Sequence, residues 1–233
     1  MRLCIFLILA AMALADPIPN YYDIRGLYPK CFFSVSDQGT CWSTWAQSIA
    51  GLMSNKLCMT GTNVTLSPQQ LLSCANPTCD LNNTVDVINK AFTYAQTPGL
   101  PTSDCVPYNT SFTCATNNSC INKAITYKAY TCSAVKTISG FDNIKNEIMT
   151  NGPVICTLQA TKDFKDYYDG IYFSVHTKRI NNLAFKVLGW GIENGLKYWT
   201  VETGMGINKG ENGFARIALG FCNVTQTCTP NKQ

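Results

Sequence analysis

The hydrophobic pattern of the chain changes character near its middle. In the first half, apolar residues recur every three or four positions, which is typical of helices that bury one face. This spacing predicts three helices, at 43–57, 67–74 and 85–95. In the second half, a helix is predicted at 141–149, and glycines then separate short apolar runs that are typical of strands. The predicted strands are 154–158, 171–175, 183–190, 198–201 and 214–219. The pattern therefore predicts an α+β fold with a helical lobe at about 21–130 and a β-rich lobe at about 131–233.

The first fifteen residues have the features of a secretory signal peptide. Arg2 supplies a positive charge, residues 3–9 are apolar, and Ala13-Leu14-Ala15 fits a small-residue cleavage site. A membrane anchor is the alternative, but the apolar run is short for a span. We therefore expect residues 16–233 to form the folded part, with no membrane span after cleavage.

The cysteine content also favours export. The chain has 13 cysteines, and removing Cys4 of the signal leaves an even number for disulfides in an oxidising compartment. Zinc ligation would need short paired spacings, which are largely missing here. The cysteines expected in disulfides are Cys31, Cys41, Cys58, Cys74, Cys79, Cys105, Cys114, Cys120, Cys132, Cys156, Cys222 and Cys228. Five N-x-S/T sequons predict glycosylation at Asn63, Asn82, Asn109, Asn117 and Asn223.

Composition excludes several classes of function. Hydrophobic residues make up 46% of the chain and charged residues 14%, which indicates a folded globule. The net charge of +4 comes from scattered lysines and arginines, so nucleic-acid binding is not expected. His176 is the single histidine, which excludes multi-histidine metal sites. We expect no metal and no cofactor.

Four segments carry a family resemblance. Residues 38–46, QGTCWSTWA, resemble the pattern Q-G-S-C-G-S-C-W-A, and residues 183–191, LAFKVLGWG, resemble H-A-V-x-I-L-G-W-G. Residues 198–205 are similar to Y-W-x-V-x-N-S-W, and residues 210–214 match G-[DE]-x-G-[FY]. In this order and spacing they resemble the papain-like cysteine peptidases, in particular the cathepsin B-like branch. The resemblance implies a two-lobed fold with an antiparallel β-barrel-like second lobe.

The same resemblance implies that the catalytic groups have been replaced. In the family, a cysteine thiolate attacks the peptide carbonyl and is paired with a histidine that an asparagine orients. Those positions are Thr44, Leu183 and Thr203 in this chain. Gln38 remains at the position that donates to the oxyanion, although we expect it to serve mainly as a structural residue near the helix start.

The resemblance also implies two disulfides and a set of cleft residues. Cys41 matches a structural cysteine that is expected to pair with Cys79, and Cys31 is expected to pair with Cys58. An oxidised sulfur is not a nucleophile, so Cys41 is not a substitute for the catalytic cysteine. The cleft is expected to include Gln38, Trp42 and Met205.

These observations predict a secreted, catalytically inactive cathepsin B-like protein that binds a peptide or protein ligand between its lobes. Its location would be extracellular, or the lumen of lysosome-like or secretory vesicles. Only residues 16–20 separate the signal from the mature-like start, so no propeptide is recognisable; a truncated gene model is the alternative. Two other functions stay open: a cysteine peptidase with displaced catalytic residues, and a structural secreted glycoprotein.

Overall fold

The helices lie mainly in the first half of the chain. The computed structural model describes residues 17–32, 35–79, 84–111, 113–114, 119–174, 176 and 178–231. Its helices are α1 (Ile24–Leu27), α2 (Thr44–Met59), α3 (Pro68–Gln70, continued as a π-helical turn at Leu71–Ala75), α4 (Thr84–Gln96) and α5 (Phe141–Asn151). Single 3-10 turns occur at Pro29–Cys31 and Lys162–Asp166. The predicted signal peptide and the sequons at Asn82 and Asn117 lie outside the described residues.

The predicted helices are confirmed with small shifts of their ends. Helix α3 begins as its sequence indicates, because the Ser67 hydroxyl accepts the Gln70 N–H at 3.1 Å. Helix α2 is buried along most of its length, with Trp45, Ile49 and Leu52 completely enclosed. It is the central helix of the molecule, since it packs against α3 and α4 on one side and against the sheet on the other.

The strands form one open, mixed sheet. They are β1 (Tyr22–Asp23), β2 (Lys136–Ile138), β3 (Val154–Thr161), β4 (Ile171–Tyr172), β5 (Arg179–Glu193), β6 (Leu196–Glu202), β7 (Phe214–Ala218) and β8 (Cys222–Thr227). Among the described residues the order is β2-β8-β3-β5-β6-β7-β4, with β1 added beside β5. The expected α+β class is therefore confirmed, while the sheet differs from an antiparallel barrel in two respects. The path does not close, and β4 runs parallel to β7.

The first strand joins the sheet through a close backbone approach. Tyr22 lies opposite Trp190 in the ladder, and their rings stack with centroids 4.8 Å apart. A Cβ at Gly189 would lie 2.1 Å from the Tyr22 carbonyl oxygen, so only glycine permits this approach. Strand β1 therefore belongs to the sheet although it precedes the helical part in the sequence.

Two hydrophobic clusters meet at one tryptophan. The first cluster is built on α2, α3 and α4 around Trp45 and Phe92, and the second on the sheet around Phe185 and Trp199. Trp42 is half-buried and packs against both clusters. The junction between the two parts of the fold thus lies at the residues that precede α2.

The described part of the chain contains five disulfides. Cys31–Cys58 and Cys41–Cys79 are bonded as expected. The others are Cys74–Cys114, Cys105–Cys120 and Cys156–Cys222.

The expectation that all twelve mature cysteines are oxidised is wrong for Cys132 and Cys228, which are free and buried. A hydrogen bond to Cys132, together with burial, raises the pKa of the Cys228 thiol above its ordinary value. The thiolate that disulfide chemistry requires is therefore disfavoured.

Candidate functional site

The start of α2 is held by a network around Gln38. The Gln38 side-chain oxygen accepts the backbone N–H of Ser43 at 2.9 Å, and the Tyr108 hydroxyl donates to the Gln38 carbonyl at 2.8 Å. The Ser43 hydroxyl lies 2.6 Å from the same phenol oxygen. Burial raises the pKa of Tyr108, which keeps the phenol protonated and able to donate. The Gln38 side chain is therefore bonded to the backbone just before α2 begins.

Thr44 contacts the strand at Ala184, the residue after Leu183, where α2 meets the sheet. Thr44 is the first residue of α2, and its Oγ1 accepts the backbone N–H of Ala184 at 3.2 Å. The Ser48 hydroxyl, one turn further along the helix, donates to the Ala184 carbonyl at 2.9 Å. Thr44 is completely buried and Leu183 is 1% exposed. The hydroxyl of Thr44 is therefore used in a contact between helix and strand, and the Leu183 side chain offers no proton acceptor.

Thr203 closes the loop that follows β6. Its hydroxyl donates to the Gly213 carbonyl at 3.0 Å, and its backbone N–H donates to the same oxygen at 3.0 Å. The Met205 N–H lies 3.3 Å from the Thr203 Oγ1, which accepts it. Thr203 thus fixes the backbone of the loop between β6 and β7, and its side chain is buried.

A cavity of about 440 Å³ opens beside these residues. It is lined by Gln38, Gly39, Thr40, Trp42, Phe164, Lys165, Tyr167, Thr203, Met205, Lys209 and Gly210. The three cleft residues that were predicted, Gln38, Trp42 and Met205, all contribute to it. An adjoining void of about 20 Å³, which has room for about one water molecule, lies between Trp42 and Leu183.

The Lys162–Asp166 turn supplies part of the cavity wall that sequence reasoning missed. Phe164 and Lys165 line the cavity from this turn. The turn lies between predicted strands and has no helical or strand periodicity, so no signal in the sequence points to it. The neighbouring Tyr167 donates from its hydroxyl to the Gly170 carbonyl at 2.8 Å. Burial raises the pKa of Tyr167 to about 12, so this wall carries a neutral phenol.

The single histidine lies elsewhere. His176 is exposed and lines a different cavity together with Lys162, Asp163, Asp166 and Lys178. Cys132 and Cys228, the free thiols of the described chain, are buried in the cluster around α2 and α4. Within the described residues no hydrogen bond joins His176 to a sulfur, and no group of three or more candidate metal ligands is found.

A buried ion pair on the sheet contacts α2, the helix that begins at Thr44. The Lys186 ammonium lies 2.8 Å from a Glu202 carboxylate oxygen and donates to the Asn55 side-chain oxygen at 2.6 Å. Both charged side chains are less than a tenth exposed. A Cβ at Gly51 of α2 would lie 3.0 Å from the ammonium, so the glycine makes room for it. This pair connects β5 and β6 to the helix that begins at Thr44.

Comparison with known proteins identifies the family of this architecture. The family model described as papain family cysteine protease matches residues 18–231. "Cathepsin B-like CP1" of Giardia intestinalis is 30% identical, over 89% of this chain and 70% of that protein. "Cathepsin B-like cysteine proteinase 3" of Caenorhabditis elegans is 29% identical over 88% of this chain, which spans 63% of that relative's length. The solved procathepsin B S9 of Trypanosoma congolense superposes with a TM-score of 0.83 and 26% identity, covering 94% of this chain and 80% of the other.

Because no helix among the described residues is both long and apolar enough to cross a bilayer, none of them can serve as a membrane span.

Proposed function

Because this chain belongs to the papain family of cysteine proteases, we propose that it is a cathepsin B-like protein that has lost catalysis and binds a peptide or protein segment between its lobes. The observation that carries the proposal is the contact between Thr44 and Ala184. It joins the two segments that resemble the nucleophile and histidine motifs, and the side chains there are a hydroxyl and an isobutyl group.

These side chains cannot perform the chemistry of the family. An internal threonine needs an adjacent base to become a nucleophile, and Leu183 accepts no proton. At the third position, the Thr203 hydroxyl is already bonded to the Gly213 carbonyl. Trp42 also disfavours catalysis, because its indole takes up space in the cleft. The ring packs there at the junction of the two hydrophobic clusters.

The cleft itself is the argument for binding. A cavity of about 440 Å³ lies within the range that accommodates small ligands and peptide side chains. Its lining combines aromatic and sulfur-containing side chains with a few polar groups, as ligand sites commonly do. Loss of the catalytic groups therefore leaves a formed cleft that is able to hold a ligand.

The enzyme alternative draws on the relatives, which are named as proteinases. It requires an accessible thiolate, yet the free thiols of Cys132 and Cys228 are buried. A hydrogen bond to Cys132, together with burial, raises the pKa of Cys228. An epoxide-type thiol trap and a fluorogenic dipeptide reporter, applied after mild reduction, test this alternative. Labelling of a cleft thiol together with reporter cleavage would support the peptidase and overturn the proposal.

A restoration experiment tests where the replaced positions lie. We expect Thr44→Cys, Leu183→His and Thr203→Asn together, with Trp42→Gly to clear the cleft, to regain weak cleavage of the reporter. The matched control carries Thr44→Ala with the other three changes and should stay inactive. If the quadruple variant folds but its new thiol reacts no faster at pH 6 than an ordinary thiol, the assignment of these positions is wrong.

A second experiment tests binding. A displayed peptide library is selected on the native protein, and the selected peptides are measured against Thr40→Trp, an exposed position on the cavity wall. We expect this variant to lose binding, and Thr229→Trp, exposed and outside the cavity, to retain it. Selected peptides that bind both variants equally would contradict a role for the cleft.

We further propose that the protein matures in the secretory pathway and is secreted or held in a lysosome-like or secretory vesicle. The five disulfides suit an oxidising compartment. Asn63 and Asn109 are exposed, as glycan acceptors must be. A mass decrease on treatment with an N-glycosidase would support this route, and a protein made by its own cells without any glycan would count against glycosylation.

A further inference from the structure

We infer that the ligand of the cleft is an acidic protein segment whose apolar side chain enters between Trp42, Phe164 and Met205 while flanking carboxylates pair with Lys165 and Lys209. The inference rests on the function proposed above and deepens it. It concerns the chemical class of the ligand, which the loss of catalysis does not define.

The charge of the cavity wall is the first observation. Among the residues that line the cavity, Lys165 and Lys209 are cations and none is an aspartate or glutamate. Both lysines are exposed, and they lie on different segments, the Lys162–Asp166 turn and the loop between β6 and β7. In the described chain neither ammonium has a carboxylate within 4.0 Å. A ligand therefore meets two unneutralised positive charges on two walls.

Arg216, a neighbouring cation, differs from the two cleft lysines because it has carboxylate partners. Arg216 pairs with Glu211 at 2.7 Å and also with Glu193, so its charge is balanced within the protein. Tyr167, which shares the cavity wall with Lys165, has its pKa raised to about 12 by burial and adds no negative charge. The positive character of the cleft is thus a local feature, distinct from the balanced charges beside it.

The floor of the cavity is apolar and suits an apolar side chain of the ligand. Phe164 is 6% exposed, and it packs in the sheet-side cluster that Trp42 and Met205 also contact. An aromatic or branched side chain that enters here buries apolar surface that was exposed to water, which favours binding. Acidic residues next to it in the ligand can then reach the exposed lysines. Two separate cations favour two carboxylates, which argues for acidic side chains over a single C-terminal carboxylate.

The probe is a set of synthetic peptides with blocked ends. The reference peptide has a central Phe flanked on each side by two Asp residues, is acetylated and amidated, and carries a fluorophore on an N-terminal linker. Three companions differ in one property each: Asn replaces every Asp, Gly replaces Phe, or the Asn peptide ends in a free carboxylate. Fluorescence anisotropy measures the dissociation constant at two salt concentrations.

The protein variants are matched in charge. Lys165→Glu with Lys209→Glu reverses both cleft cations, and Lys123→Glu with Lys178→Glu makes the same charge change at two exposed lysines that do not line the cleft. We expect the cleft variant to bind the reference peptide at least tenfold more weakly, a difference of about 1.4 kcal/mol. The control variant should bind within about threefold of the native protein. Raising the salt should narrow the difference, because exposed charges are screened.

The outcomes separate this inference from the proposed function. Equal weakening by the cleft and control variants, or equal binding of the Asp and Asn peptides, overturns the acidic ligand. Preference for the peptide with a free carboxylate over the reference peptide also overturns it. If library selection yields neutral or basic peptides that Thr40→Trp blocks, the cleft still binds ligands and only this inference is lost. If Thr40→Trp blocks nothing, the proposed function fails as well.

Discussion

Separating the buried Lys186–Glu202 pair should destabilise the fold far more than removing it entirely. The two charged groups lie 2.8 Å apart with less than a tenth of either side chain exposed. At this distance and an effective dielectric constant of about 20, their attraction is about 6 kcal/mol. Burial costs each ion several kcal/mol, so the pair as a whole contributes little. A single survivor, however, pays that cost without compensation.

We therefore expect Lys186→Met to lower the free energy of unfolding by about 3–5 kcal/mol. Glu202→Leu should cost a similar amount, since it leaves the ammonium with Asn55 as its remaining described partner. In a chain of this size, about 4 kcal/mol corresponds to a fall in Tm of about 10 °C. The double variant should cost less than either single variant, so the coupling energy should be at least about 4 kcal/mol.

Denaturant unfolding with the disulfides intact measures these free energies. Lys30→Met is the control, because Lys30 is exposed at the edge of the same 270 Å³ cavity that Lys186 lines. It should change the free energy of unfolding by less than about 0.5 kcal/mol. Single variants that each cost under about 1 kcal/mol, or a double variant that equals their sum, would refute the reasoning.

Three further predictions address other buried groups. Burial lowers the pKa of Lys56 to about 8, below its ordinary value of 10.5. Between about pH 8 and 10.5, the unfolded chain therefore binds a proton at Lys56 that the folded chain has released. The contribution of Lys56 to stability should therefore rise as the pH increases from about 8 to 10.5, and Lys56→Met should remove this contribution from the pH dependence measured by denaturant unfolding. Alkylation without reduction should modify no thiol in the native protein and two, Cys132 and Cys228, after unfolding; protection of both after unfolding would indicate a sixth disulfide. Gly189→Ala should push the Tyr22 carbonyl, and with it β1, away from β5 and cost about 1–3 kcal/mol, which thermal unfolding measures; an unchanged Tm would contradict the close approach.

The elements with strong local periodicity could be predicted from the sequence. Helices α2 and α4 and strands β3, β5 and β6 were all expected, because their apolar spacing reports which face is buried. Strands β1, β2 and β8 were missed. Each is short or polar and exists because a distant strand offers it backbone partners, as β3 does for β8. The parallel pairing of β4 with β7 is equally invisible to a local pattern.

The candidate site divides in the same way. Gln38, Trp42 and Met205 were expected from short motifs, since those motifs have fixed positions around one cleft. Phe164 and Lys165 reach the cleft only through the path of the chain after β3, which no local signal encodes.

The amino-acid sequence alone was enough to predict most of the helices and strands and the family resemblance, and to propose that Thr44, Leu183 and Thr203 stand at the catalytic positions of the family. Only the tertiary structure decided which groups face one another. It bonded Thr44 to Ala184, placed Lys165 and Lys209 on one cavity, and left Cys132 and Cys228 as thiols, although the cysteines beyond the predicted signal peptide are even in number. The reason is physical: periodicity is a property of neighbours along the chain, whereas bonds, charges and cavities depend on distances that only packing sets.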